Sequence, residues 1–134
     1  MITTVEYGRP VILGSATNAD IDTTEEDVLT VTDNILLSKS QLTFYVDYDL
    51  GTHTSLDLRF FYRDEIGGDW YQVPKKNTSD GTIDDNPFTI DANSPASRLV
   101  IEFPLGACYA LKVTADGVGG ANGSVTVKAM ARNN

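Results

Sequence analysis

His53 is the only histidine and Cys108 the only cysteine in this chain of 134 residues, so the side chains that carry most acid–base and nucleophilic chemistry occur once each. A Ser–His–Asp arrangement needs a serine poised beside the histidine. No Gly-x-Ser-x-Gly elbow is present to supply one, and Gly51-Thr52-His53-Thr54 reads as a turn. Cys108 has no histidine or basic residue beside it in sequence to mark it as reactive. A single cysteine also provides neither an internal disulfide nor a cysteine-based zinc site. Carboxylate pairs occur at Asp20/Asp22, Glu25/Glu26/Asp27, Asp47/Asp49 and Asp84/Asp85. Two carboxylates can do glycosidase work, but such pairs arise by chance among 19 acidic residues. Asp80, Asp84 and Asp85, with Gly81 and Asn86, offer the hard oxygen ligands that calcium takes, at a spacing that does not fit an EF-hand loop. No catalytic constellation forms, no cofactor is expected, and the chain reads as non-enzymatic.

The totals narrow the classes further. A formal net charge of -9 argues against a general nucleic-acid binder, because neutralising phosphates needs clustered Lys and Arg. Acidity of this size serves solubility at high concentration. No apolar run is long enough for a transmembrane helix, so no membrane partner is expected. Met1-Ile2-Thr3-Thr4-Val5-Glu6-Tyr7 lacks the basic and apolar regions of a secretory signal. The length suits one domain over residues 1–134 that buries a core without disulfides or metals.

The elements that must position these residues are strands. Tyr109, Leu111, Val113 and Ala115 alternate with Cys108, Ala110, Lys112 and Thr114, a period of two that marks a half-buried strand. That period places Cys108 on the face opposite the core. Residues 116–123 form a glycine-rich loop, and Ser124-Val125-Thr126-Val127-Lys128-Ala129 alternates again, so the two runs read as a hairpin. Leu42, Phe44, Val46 and Tyr48 share one face of an earlier strand, with Thr43, Tyr45, Asp47 and Asp49 on the other. Leu56, Leu58, Phe60 and Tyr62 line the next, opposite Asp57, Arg59, Phe61 and Arg63. A loop over 64–69 leads to a short strand at Trp70–Val73, closed by Pro74.

Residues 75–97 read as a long loop or edge strands, and Leu99, Ile101 and Phe103 as a further strand. Residues 1–40 form the least regular segment. Within it, Pro10–Leu13 is a short apolar run, 14–20 a loop, 20–27 a possible helical turn and 28–32 a strand. The sum is about seven or eight short strands without an amphipathic helix, an all-β antiparallel β-sandwich of immunoglobulin-like or jelly-roll type. Residues 41–132 make its main body.

Two surfaces stand out. If strands 55–63, 108–115 and 124–132 share a sheet, Arg59, Arg63, Lys112, Lys128 and Arg132 project from one face, with Phe61, Ala110, Cys108 and Met130 among them. An exposed Phe among arginines is a composition that interfaces favour. The N-terminal segment is the second surface, either an arm that orders on a neighbour or an edge strand folded onto its own sandwich.

The stretch Phe103, Gly106, Tyr109, Leu111, Val113 resembles the tyrosine corner of fibronectin type III and other immunoglobulin-like sandwiches. That resemblance implies a Tyr109 hydroxyl bonded to backbone at a crossover between sheets. As a whole, the chain is similar to small virion proteins of tailed bacteriophages. The segments that carry this are 56–63, the Gly67-Gly68-Asp69-Trp70-Tyr71 hairpin, 109–113 and 123–127. The resemblance implies a structural role in the virion after synthesis in the host cytoplasm: head decoration first, neck or tail next. Its partners would be the major capsid protein or other virion proteins, and the chain would form homo-oligomers. The rival reading is a carbohydrate- or receptor-binding module built on Trp70, Tyr71 and the loops at 50–54, 64–69 and 75–97.

Overall fold

A computed structural model describes residues 10–32, 39–76, 83–84, 87–94, 98–104 and 108–132. They form eleven strands: β1 (Val11–Ile21), β2 (Glu26–Thr32), β3 (Gln41–Asp49), β4 (Ser55–Arg63), β5 (Trp70–Gln72), β6 (Lys75–Lys76), β7 (Ile83–Asp84), β8 (Phe88–Asp91), β9 (Arg98–Pro104), β10 (Ala110–Val118) and β11 (Gly123–Arg132). One sheet, called A here, has the order β1-β11-β3-β9. The second, sheet B, has the order β2-β10-β4-β5, with β8 pairing the same strand β4 further along. A two-stranded ribbon, β6-β7, stands apart from both. All pairings are antiparallel.

The chain changes sheet at β1–β2, β2–β3, β3–β4, β8–β9, β9–β10 and β10–β11, staying in one sheet only along β4, β5 and β8. That is the connectivity of a jelly roll, two interlocked Greek keys. In the immunoglobulin sandwich the first two strands share a sheet, and here β1 and β2 lie in opposite sheets. The immunoglobulin alternative is therefore replaced by the jelly roll.

Strand alternation supplies the core. Leu42, Phe44 and Val46 of β3 and Val125, Val127, Ala129 and Ala131 of β11 face inward from sheet A. Leu56, Leu58 and Phe60 of β4 and Leu111, Val113 and Ala115 of β10 face them from sheet B. Phe44 and Phe60 meet across the sandwich with ring centroids 4.7 Å apart, and Phe88 packs edge-on against Phe60 at 5.3 Å. Aromatic contacts of this geometry add to the area they bury, so this trio ties the two sheets at mid-core.

Four local expectations are corrected. Residues 14–20 are strand rather than loop, because β1 pairs with β11 from Val11↔Ala131 to Ile21↔Gly123, with register shifts between Ile12 and Gly14 and between Asn18 and Ile21, and this ladder outweighs weak local propensity. Residues 22–25 bend between strands instead of starting a helix. The runs over 110–118 and 123–132 do not pair as a hairpin, since both edges of β10 are occupied by β2 and β4. Finally, Cys108 is buried in the core cluster, while Tyr109 is half-buried and makes no side-chain hydrogen bond among the described residues. Cys108 precedes the first ladder residue, so strand alternation does not govern it. Residues 105–107 of the proposed tyrosine corner lie outside the described set.

Replacing Phe60 with Ala should cost about 3–5 kcal/mol of stability. In the double variant with Phe44→Ala, the combined loss should fall short of the sum by about 0.5–1.5 kcal/mol, as measured by denaturant unfolding. Strict additivity would show that the rings do not couple the sheets.

Candidate functional site

The single histidine has a structural task. His53 is buried at the end of the sandwich where three crossovers meet: β3–β4, β10–β11 and β1–β2. Its Nε2 lies 2.8 Å from the carbonyl oxygen of Ile21 and donates to it, since a carbonyl can only accept. Its Nδ1 is buried with no hydrogen-bond partner among the described residues. The ring lies so close over Gly117 that any Cβ there would strike it, and a Cβ at Gly123 would come within 3.0 Å of it. Backbone bonds close the same knot, from Gly117 N–H to Asp22 O at 2.8 Å, Thr54 N–H to Val118 O at 2.9 Å and Thr52 N–H to Ala121 O at 3.0 Å. His53 is thus buried, and no hydroxyl or thiol hydrogen-bonds to its ring among the described residues.

Several of the paired acids are likewise engaged by their neighbours. Asp49 caps the following turn by accepting from Gly51 N–H at 2.9 Å, and Asp47 pairs with Arg98 at 3.3 Å. Asn18 donates to Glu26 at 3.4 Å, and Asp27 stands 4.0 Å from Lys112. The possible calcium ligands Asp80 and Asp85, with Gly81 and Asn86, lie outside the described residues, and Asp84 is described only as part of β7. Burial pushes the Cys108 thiol up to about 11, which keeps it protonated and unreactive at neutral pH.

The expected interface residues divide between two faces. Arg59, Phe61, Arg63, Ala110 and Lys112 do meet on the outer face of sheet B, through the register Arg63↔Ala110, Phe61↔Lys112 and Arg59↔Thr114. Lys128, Met130 and Arg132 belong to β11 and lie on the outer face of sheet A, where Met130 pairs with Thr43 and Lys128 with Tyr45. The one-sheet arrangement is corrected because the 119–122 link carries the chain across the end of the sandwich.

On sheet B the cations are already engaged within the subunit. Arg59 pairs with Asp116 at 2.9 Å and reaches Glu25 at 4.0 Å. Burial holds the Asp116 carboxyl above the usual aspartate range; Arg59 opposes that shift, and the Asp57 and Glu25 charges add to it. The Arg63 guanidinium sits 4.2 Å from the centre of the Trp70 ring, and the Lys112 ammonium is 4.8 Å from Trp70 and 5.0 Å from Phe61. Ala110 is fully buried between Thr32 and Arg63. This face is a layer of cation–π and ion pairs within the subunit, although the buried Arg63 Nε has no hydrogen-bond partner among the described residues.

Sheet A differs. Its register sets Ile12, Met130, Thr43 and Glu102 in one row and Ser15, Lys128, Tyr45 and Val100 in the next. Ile12 is 61% exposed, Val100 55% and Tyr45 46%. Two open hollows flank Tyr45, one of about 140 Å³ bounded by Met130, Thr43 and Arg132, the other of about 160 Å³ bounded by Arg98 and Val100. Ile12, Tyr45 and Val100 were outside the expected interface. Their outward parity at polar strand positions was a readable signal, but the register that makes them neighbours comes from three long-range pairings.

Trp70 and Tyr71 do not form a joint platform. Trp70 lies on the outer face of sheet B beside Arg63, whereas Tyr71, paired with Tyr62, turns to the other side.

The chain is thus an all-β protein of two antiparallel sheets. No family model matches it, and no curated protein matches its sequence. Among solved structures it is similar to the SPBc2 prophage-derived protein YomS, at 16% identity and a TM-score of 0.53 over 98% of this chain and 97% of that one. PRD1 vertex protein P5 is aligned at 14% identity and a TM-score of 0.45, over 92% of this chain and 99% of that one. The likeness to YomS is one of fold.

Gly117→Ala should destabilise the fold by about 1–3 kcal/mol, because its methyl has no room against His53. Combined with His53→Ala, which opens that space, its added cost should largely vanish in denaturant unfolding. Equal costs in both backgrounds would contradict this packing.

Proposed function

We propose that the chain is a non-enzymatic structural component of a bacteriophage particle, specifically a decoration protein held in many copies on the assembled head lattice. Its partner would be the major capsid protein or another virion protein, and its place of action the virion. The observation that carries this reading is the outer face of sheet A, where Ile12, Tyr45 and Val100 remain exposed in adjacent rows with Met130. Contiguous exposed apolar side chains rimmed by charge are what association surfaces present. The net charge of -9 would keep free subunits soluble before they bind. The prophage origin of YomS, which shares this fold over 98% of the chain, supports a phage setting. The mechanism is geometric: a rigid sandwich offers the outer face of sheet A to the particle and turns the cation–π face of sheet B outward.

Purified particles of the encoding phage should contain the protein at a fixed stoichiometry to the major capsid protein. Substituting Tyr45→Asp together with Val100→Asp should weaken binding to particles lacking it by at least about tenfold, while Phe61→Ser on sheet B leaves binding near wild type. Absence of the protein from particles would overturn the reading.

A further inference from the structure

The β4–β5 hairpin carries an apolar side chain where solvent-exposed loops usually carry polar ones. Ile66 is 76% exposed, and Asp64, Glu65 and Asp69 around it are all exposed. The tip is preformed: Gly67 adopts φ 73°, which glycine takes without strain, and Gly68 N–H donates to Glu65 O at 3.1 Å. Among the described residues, Asp64 and Glu65 form no ion pair, so the tip is a stiff acidic mount for one branched aliphatic group.

The outer face of sheet A has the complementary features. The hollow of about 140 Å³ between Tyr45, Met130 and Thr43 has room for such a side chain. Arg132 stands at its mouth, and Lys128 lies beside Tyr45 in register. Both cations are exposed, and neither has a carboxylate within ion-pair distance among the described residues. Glu102, the acid on the far wall, accepts from the Thr43 hydroxyl at 3.2 Å and lies on the β9 side, away from Lys128. A chain with 19 acidic and 10 basic residues thus keeps, among the described residues, two cations without an ion pair beside a hollow of mixed polar and apolar lining, and places an apolar knob among carboxylates elsewhere. The knob extends from sheet B and the hollow opens on the outside of sheet A, so they cannot meet within one subunit.

We infer that a second copy of this chain occupies the hollow, seating its Ile66 between Tyr45 and Met130 and setting Asp64 and Glu65 against Lys128 and Arg132. This rests on reading the outer face of sheet A as an assembly surface and names what covers part of it. The preformed tip loses little freedom on docking, which favours even a small contact. In a particle the same contact would link neighbouring decoration subunits to one another as well as to the lattice.

Sedimentation of the purified full chain across a concentration series tests this contact. Wild type should self-associate, and Ile66→Asp or Met130→Glu should each raise the dissociation constant at least about tenfold, with unchanged circular dichroism and unfolding midpoint. Mixing those two variants should restore association, because one supplies an intact hollow and the other an intact knob. Glu65→Lys should weaken association, and adding Lys128→Glu to the same chain should recover it. A wild type that stays monomeric to its solubility limit, or an Ile66→Asp variant that associates like wild type, overturns the inference. Particle binding is read separately. A monomeric wild type that still binds particles sinks only the contact between copies, whereas a self-associating protein absent from particles sinks the proposed function.

Discussion

Everything in this sandwich depends on closing one end, where three sheet-to-sheet crossings must pass within a few ångströms of each other. His53 fills that space. It donates to the Ile21 carbonyl from the β1–β2 crossing while its ring covers Gly117 at the start of the β10–β11 crossing. Glycine is required there because the ring leaves no room for a methyl group. A jelly roll has few hairpins within a sheet, so its strands are held in place mainly by such corners and by the core. With this end closed and Phe44 meeting Phe60 at mid-core, both sheets become rigid faces.

The two outer faces have different chemistry for reasons visible in register. On sheet B, strand pairing brings Arg59 beside Asp116 and Arg63 beside Trp70, so these charges and this aromatic surface contact each other within the subunit. On sheet A, the same alternation brings Ile12, Met130, Tyr45 and Val100 into adjacent rows, with Lys128 unpaired among the described residues. Solvated apolar surface of this kind favours association. The chemical asymmetry of the two faces is therefore a consequence of which strands neighbour which.

Alternation within single strands was legible in the sequence: Leu42, Phe44 and Val46, or Leu56, Leu58 and Phe60, face the core as their period demands. The all-β class followed from it. What could not be read was strand adjacency, because β11 pairs with β1 and β3 across most of the chain and no local residue pattern encodes that choice. The misplacement of Lys128 and Met130 has that origin. Likewise β1, with Gly14, Asn18 and Asp20, carries residues that strands disfavour and is strand through its ladder to β11. His53 looked like an idle turn residue because its partners Ile21, Gly117 and Gly123 are distant in sequence.

On the proposed function, the outer face of sheet A is covered in the assembled particle and that of sheet B is not. Hydroxyl-radical footprinting of free subunits against particle-bound subunits reads both faces at once, through Tyr45 and Met130 on one side and Phe61 and Trp70 on the other. Tyr45 and Met130 should be strongly protected on assembly, with Phe61 and Trp70 oxidised as in the free protein. Protection of Phe61 and Trp70 with Tyr45 and Met130 unchanged would contradict it.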